Sequence, residues 1–121
     1  MKNVLILAAV SEAATGVALL IVPSLVGRLL FGGDLHGLPV AVARVAGIGL
    51  FSLGLACWPG KEATRTALLA MLTYNLLVAL YFFYLGLHGE WVGVLLWPAA
   101  VLHSILTILL AAARPWVNRG A

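Results

Sequence analysis

The sequence predicts an all-α integral membrane protein: a four-helix bundle with a short interfacial helix after the first transmembrane helix. Only 9% of the residues are charged and 64% are hydrophobic, and the mean hydropathy is +1.12, whereas a soluble domain needs more polar surface to cover its core. Four apolar stretches are long enough to cross the hydrocarbon layer, which takes about 20 helical residues. They are 4–22, 38–58, 66–87 and 91–113, and because they use most of the chain we expect a single membrane domain over residues 1–121.

The first apolar stretch ends at Pro23, which suits the first turn of a new helix but cannot continue a ladder of helical hydrogen bonds. The segment "PSLVGRLLFGG" (23–33) therefore predicts the short interfacial helix, and "DLHGLP" (34–39) predicts a turn. A cleaved signal peptide would have polar sequence after its apolar core. Here "GVALLIV" resumes the apolar run after Glu12, so we expect this stretch to remain as a transmembrane helix.

Helix boundaries later in the chain are marked by proline, glycine and capping residues. The "PG" pair at 59–60 is expected to end the second transmembrane helix, and either Glu62 or Thr64 to cap the third. Within the fourth predicted helix, Pro98 lacks a backbone donor. We therefore expect a kink there and an unpaired carbonyl at Val94.

The basic residues concentrate on one side of the predicted topology. That side carries Lys2, Lys61, Arg65, Arg114 and Arg119, in the N-terminus, the second loop and the C-terminus. The other side carries Arg28, Asp34, His36, His88 and Glu90. Because positively charged loops stay in the cytoplasm, we predict a multi-pass protein of a bacterial-type inner membrane with both termini cytoplasmic. The net charge of +3 is thus a signal of topology, and nucleic acid is not an expected partner.

Small residues predict close helix packing, which is how helices associate in lipid. In the second transmembrane helix they are Ala41, Ala43, Ala46, Gly47, Gly49 and Gly54. In the first, the face that carries Glu12 also carries Ala8, Ala9, Thr15 and Gly16. We expect these two faces to make contacts inside one bundle.

Each transmembrane helix contributes one strongly polar residue, and their depths are compatible. At about 1.5 Å per residue, Glu12 and Asn75 lie about 13 Å, and His103 about 15 Å, from the same side of the membrane. Arg44 lies about 9 Å below the opposite edge, and its long side chain brings it within reach of Glu12. Because a charge at a helix centre costs about 2.5–3.5 kcal/mol in lipid, we expect all four side chains to face inward.

The leading functional hypothesis is that this buried polar cluster binds or moves a small polar or anionic solute, or protons. Glu12 would accept a proton, Arg44 would serve as counter-ion or anion clamp, and His103 would be the second titrating group, with Asn75 beside them. The residues expected to support the cluster are Thr15, Tyr74, Pro98 and Thr107. A bundle of this size seldom encloses an aqueous path, so transport would require a homo-oligomer.

Two other classes of function remain open. In the first, Glu12 and Arg44 form a structural ion pair, Asn75 joins helices and His103 bonds to Thr107, and the chain is an accessory or assembly subunit of a larger membrane complex. In the second, the chain is a redox protein. A quinone would need one hydrogen-bonding histidine, whereas a bis-histidine haem would need His103 from two copies of the chain.

Several kinds of chemistry are disfavoured by the sequence, which contains no GxGxxG, P-loop, CxxC or HExxH motif. The membrane serines have no spaced histidine and carboxylate partners for nucleophilic catalysis. We therefore predict that the chain is not an enzyme, and we assign it no cofactor and no metal. A weak metal site on the outer face is left open, with the candidate ligands Asp34, His36, His88 and Glu90.

A short four-helix chain with a mid-membrane glutamate in "AAVSEAATG" resembles the layout of the small multidrug resistance transporters. The resemblance implies that Glu12 would bind a cation and a proton alternately, in a pathway formed by two protomers. It covers the layout and Glu12 alone. Arg44, Pro98 and His103 depart from the pattern, and an arginine beside the glutamate would oppose a cationic ligand, so the transporter function is not carried over.

Overall fold

The structure is a computed structural model that describes residues 2–61 and 63–119, with only the backbone described at 116–118. This part of the chain contains five helices. They are α1 (Lys2–Ile21), α2 (Pro23–Phe31), α3 (Leu38–Ala56), α4 (Arg65–His88) and α5 (Leu96–Arg119). All but α2 are long and apolar enough to cross a membrane. The predicted fold class is thereby confirmed: the chain is an all-α, multi-pass membrane protein with a short helix after its first span.

The short helix α2 begins at Pro23, as the sequence predicted, and ends at Phe31, before the two glycines that close the predicted segment. Pro23 occupies its first turn, where the missing N–H would have had no helical partner. Its C-terminal cap is Gly32, which has a left-handed φ of 74° and donates its N–H to the carbonyl of Arg28 over 3.0 Å. Since a side chain strains this backbone conformation, a glycine ends the helix here.

The N-terminal cap of α4 is Thr64, one of the two predicted candidates. Its Oγ1 accepts a hydrogen bond from the N–H of Ala67 over 3.2 Å, which satisfies one of the unpaired donors of the first turn. The other candidate, Glu62, lies outside the described residues.

The last helix begins later than predicted, at Leu96 and not at residue 91. The preceding segment is held by the end of α2 instead. Gly93 donates its N–H to the carbonyl of Leu30 over 2.9 Å, and Leu95 donates to that of Leu29 over 2.8 Å. A Cβ atom on Gly93 would overlap the Leu29 carbonyl, so glycine allows this close approach. The carbonyls at the C-terminal end of α2, which have no partner within that helix, thus fix where α5 begins.

Pro98 does not interrupt a helix, so the kink expected there is wrong. It is the third residue of α5, where backbone N–H groups have no partner within the helix in any case. Val94 lies in the turn before the helix. The proline inside α5 is Pro115.

Helices α1 and α3 pack as a close pair through glycines, as the small-residue pattern predicted. A Cβ atom built on Gly16 would lie 2.6 Å from the Gly47 carbonyl oxygen, and one on Gly54 would lie 2.7 Å from that of Ala9. Such distances mean that the two backbones touch. Because α3 makes almost all of its contacts with α1, its remaining surface is exposed.

Helices α4 and α5 form the second close pair, and α1 joins the two pairs through contacts with both. One apolar cluster includes Leu5, Met71 and Leu106, and the other includes Phe82 and Leu96. On α4, Asn75 lies between Met71 of the first cluster and Phe82 of the second. The polar residues therefore lie between two apolar layers.

Candidate functional site

Three of the four predicted polar residues meet in the bundle interior, where α1 contributes Glu12, α4 Asn75 and α5 His103. Glu12 is 1% exposed and Asn75 0%, while the His103 side chain is 13% exposed. The Nδ1 atom of His103 lies 2.7 Å from Asn75 Oδ1 and 3.8 Å from Glu12 Oε1. The depths calculated from sequence thus correspond to contacts, and these three residues are called the polar cluster below.

Local sequence explains why these side chains point inward. On α1, Glu12 shares its buried face with Ala8, Ala9 and Gly16, which are small enough for neighbouring helices to approach. On α4, Asn75 belongs to a line of buried residues at helical spacing. It is tied to its own helix, since Nδ2 donates to the carbonyl of Met71 over 2.9 Å.

The carboxyl group of Glu12 is buried without a hydrogen bond. Neither of its oxygens has a partner of hydrogen-bonding geometry among the described residues. The hydroxyl group of Tyr74 faces it within interaction range without reaching that geometry. Buried polar groups are nearly always satisfied, and a buried ionised carboxylate is costly unless it is paired and bonded. The unpaired carboxyl group is therefore the feature of this interior that most requires a functional explanation.

Arg44 is not part of the polar cluster, so the predicted Glu12–Arg44 pair is wrong. The side chain is exposed, and no ion pair joins it to Glu12 within the described part of the chain. The physical reason is the narrow contact line of α3, which runs through Gly47 and Gly54. Arg44 lies about 60° around the helix from Gly47, which is far enough to leave that line.

The four supporting residues take different positions. The Thr15 hydroxyl donates to the Ser11 carbonyl over 2.8 Å, and the Tyr74 ring meets His103 edge to face with centroids 6.1 Å apart. Thr107 donates to the backbone carbonyl of His103 over 2.7 Å and so stays within α5. Pro98 lies at the start of α5 and does not line the cavity described next.

A cavity of about 350 Å³ lies against the polar cluster and is lined by residues of all five helices. Its walls are mainly apolar, and its polar lining residues are Thr15, Tyr74 and His103. Sequence reasoning missed this cavity. It is lined by two alanines, Ala43 and Ala46, for which the sequence predicts only helix packing. Small side chains are consistent with either role, and only the positions of the other helices distinguish the two.

Contributions to the cavity wall from α2 and α4 were also missed. Phe82 lines the cavity and meets the His103 ring edge to face with centroids 5.7 Å apart. From α2, Gly27, Leu30 and Phe31 also line the cavity. The sequence predicts α2 as an interfacial helix but not which surface it covers.

The outer-face candidates do not assemble a metal site. Arg28 Nε donates to Asp34 Oδ1 over 2.8 Å, and this hydrogen bond lowers the pKa of Asp34 and raises that of Arg28. His88 Nδ1 lies 2.8 Å from the carbonyl of Tyr84. In residues 2–61 and 63–119, no three His, Cys, Asp or Glu side chains come close enough to hold a metal ion.

Comparison of the chain with protein families, characterised proteins and solved structures finds no match. Two features of the interior therefore bear on function. One is the buried, unbonded carboxyl group of Glu12. The other is the cavity, which His103 connects to that group.

Proposed function

We propose that the protein binds a small, mainly apolar molecule with a polar head group, taken from the bilayer into the cavity. The polar cluster holds the head group and exchanges a proton with it. One observation carries the proposal: the Glu12 carboxyl is buried and unbonded 3.8 Å from His103, and His103 itself lines the cavity. Intramembrane ionisable residues are typically functional, and this one is connected to a space that a ligand can occupy.

The size and lining of the cavity support this class of ligand. Its volume of about 350 Å³ falls at the small end of ordinary ligand sites, about 300–1,000 Å³. Apolar walls with a few convergent polar groups are typical of such sites. The apolar part of the ligand would contact Leu19, Val78 and Phe82, while Thr15, Tyr74 and His103 would receive the polar end.

An anionic solute is no longer the favoured ligand. The hypothesis of an anion clamp depended on Arg44 beside Glu12, and Arg44 is exposed on α3 instead. Without that cation, an anion in the cavity would meet a buried carboxyl group with no positive charge to offset the repulsion. We therefore propose a ligand whose head group is polar and uncharged.

We also propose that the protein lies in a bacterial-type inner membrane with both termini cytoplasmic. The order of the four spans puts Lys2, Lys61, Arg65 and Arg114 on one side of the bundle. Positively charged segments are retained in the cytoplasm. This supports the orientation independently of any ligand.

Native mass spectrometry of protein released from detergent tests the proposed function. The wild type is expected to retain a reproducible small-molecule mass, and the same spectrum gives the subunit count, which tests the predicted homo-oligomer. Ala46→Phe places an aromatic ring in the cavity wall, which should obstruct the cavity and abolish the added mass. The matched control is Ala41→Phe on the same helix, which is exposed and outside the cavity lining, and should retain it. A wild type without a bound molecule, or equal retention by Ala46→Phe, would contradict the proposal.

A second candidate, an accessory subunit of a larger membrane complex, is favoured by the exposed Arg44. This residue lies about 9 Å from the start of α3 at about 1.5 Å per residue, on a span that packs almost entirely on one side. A cation facing lipid at this depth is costly unless its side chain reaches the head groups. A carboxylate on a partner protein would provide the same compensation.

Blue-native electrophoresis of mildly solubilised membranes tests this second candidate. If Arg44 contacts a partner subunit, the wild type migrates as a complex larger than the purified protein. Arg44→Leu is expected to shift it to the size of the purified protein, while Arg44→Lys keeps the charge and retains most of the complex. Identical migration of the wild type and the purified protein would eliminate the accessory role.

A further inference from the structure

We infer that the cavity selects a ligand whose head group donates a hydrogen bond: an apolar molecule bearing a hydroxyl group, such as an alkylphenol or a quinol. This inference rests on the proposed function and specifies its ligand. It follows from the hydrogen-bond directions in the polar cluster. The backbone carbonyl of Met71, which can only accept a hydrogen bond, fixes the first of these directions.

The first step is the orientation of the Asn75 amide. One end of the amide lies 2.9 Å from the carbonyl oxygen of Met71. Because that oxygen has no hydrogen to donate, the amide nitrogen must face it. The amide oxygen therefore faces His103, whose Nδ1 lies 2.7 Å away.

The second step is the position of the hydrogen on His103. An amide oxygen only accepts, so the Nδ1 atom of His103 carries the hydrogen that makes this bond. An imidazolium–carboxylate pair with Glu12 is disfavoured, because a buried ion pair needs hydrogen bonds to offset desolvation and the Glu12 oxygens have none. In the neutral ring the second nitrogen, Nε2, is then an acceptor.

The third step extends this to the other polar groups of the cavity. The Thr15 hydroxyl uses its hydrogen on the Ser11 carbonyl, so it presents oxygen lone pairs. The Tyr74 hydroxyl lies near the Glu12 carboxyl without a hydrogen bond to it, so the direction of its hydrogen is not fixed. His103, Thr15 and Tyr74 all line the cavity, and of these His103 and Thr15 offer acceptors to it.

An acceptor-lined polar end matches a donating head group. A ligand hydroxyl would donate to His103 Nε2 while its apolar body lies against Leu19 and Phe82. A quinone presents only carbonyl acceptors and would leave Nε2 without a partner, whereas the corresponding quinol would satisfy it. Sites built around a ligand hydrogen bond discriminate against analogues that lack it.

The test compares para-hexylphenol with its methyl ether, para-hexylanisole, which has the same apolar body and no donor. Binding is measured by equilibrium dialysis against protein in lipid nanodiscs, with empty nanodiscs subtracted for partitioning. The wild type is expected to bind the phenol about tenfold more tightly than the ether, the effect of about one hydrogen bond. Ala46→Phe should weaken the binding of both probes by obstructing the cavity.

The variant His103→Asn separates the role of Nε2 from a general loss of structure. Its side-chain amide can still donate to Asn75 from the position of Nδ1, but it has no atom at the position of Nε2. The ether reports any change in the apolar contacts of the cavity, and relative to the ether the preference for the phenol should fall close to one. A preference that survives in His103→Asn would overturn the assignment of Nε2 as the acceptor.

The outcomes distinguish the inference from the proposed function. If both probes bind the wild type equally and Ala46→Phe excludes both, the cavity is a ligand site but the donor requirement is wrong. If neither probe binds above the empty nanodisc, the proposed function itself is contradicted for this size of ligand. Nitrogen-15 NMR of histidine-labelled protein gives a direct check. The signal that His103→Asn removes should show hydrogen on Nδ1, and hydrogen on Nε2 would overturn the inference.

Discussion

Replacing Gly47 by alanine is expected to lower the free energy of unfolding by about 2–3 kcal/mol, the scale of overpacking in a close-packed interior. Its new Cβ atom would lie 2.6 Å from the Gly16 carbonyl oxygen and 2.9 Å from the Cβ of Leu19. Backbone on the facing helix cannot rotate away as a side chain can, so α1 and α3 must separate. Since α3 makes nearly all of its contacts with α1, no other surface compensates for this loss.

Gly49→Ala is the matched control, two positions further along the same helix. A Cβ atom at Gly49 meets nothing within 4 Å, so this change should be neutral or stabilise by up to about 1 kcal/mol through helix propensity. Both variants are measured by reversible unfolding in mixed micelles, followed by the helical circular dichroism signal. Equal stability of Gly47→Ala and Gly49→Ala would contradict the close α1–α3 packing.

Asn75→Leu is expected to destabilise the protein by about 2–3 kcal/mol, because it leaves a buried hydrogen-bond donor unpaired. The substitution removes the bond of 2.7 Å to His103 Nδ1 and replaces a fully buried polar group by an apolar one of similar volume. Thr73→Leu on the same helix is the control. Its side chain is exposed, and a surface change of this kind should stay within about 0.5 kcal/mol.

The double variant Asn75→Leu/His103→Phe makes this prediction specific to the hydrogen bond. With both polar partners replaced, no donor is left unpaired, so the double variant should be clearly more stable than the sum of the two single effects implies. The measurement is the same unfolding assay, arranged as a double-mutant cycle. Strict additivity would show that Asn75 and His103 stabilise the fold independently, and would remove the basis for the His103 hydrogen assignment.

The environment of the Glu12 carboxyl group favours a binding role for the polar cluster. A purely structural role predicts hydrogen bonds for its carboxyl group, as Asn75 has with Met71 and His103. Both Glu12 oxygens lack them, although Tyr74 and His103 lie close by. A group left unsatisfied in this way is costly for stability. Its placement beside a cavity residue is what favours binding over a structural role alone.

Much of the site could be predicted from sequence because helical rise is fixed. A nearly constant 1.5 Å per residue, about the same in any helix, places Glu12, Asn75 and His103 at one height whichever neighbours they have. Small residues around Glu12 also indicated its buried face correctly. The predicted place of Arg44 in the cluster is wrong, because the depth of a residue does not tell in which direction its side chain points around the helix axis. For Arg44 that direction depends on which side of α3 packs against α1.

The sequence by itself determined the all-α class, the four spans and the heights of the polar residues, since these depend on composition and on distances along the chain. Only the tertiary structure decided which sides of the helices meet. It excluded Arg44 from the polar cluster, delayed the start of α5 to Leu96 through the bonds of Gly93 and Leu95 to α2, and left the cavity beside His103. In lipid the hydrophobic effect does not choose the contacting face. That choice depends on the fit between particular backbones and side chains, which a hydropathy pattern does not contain.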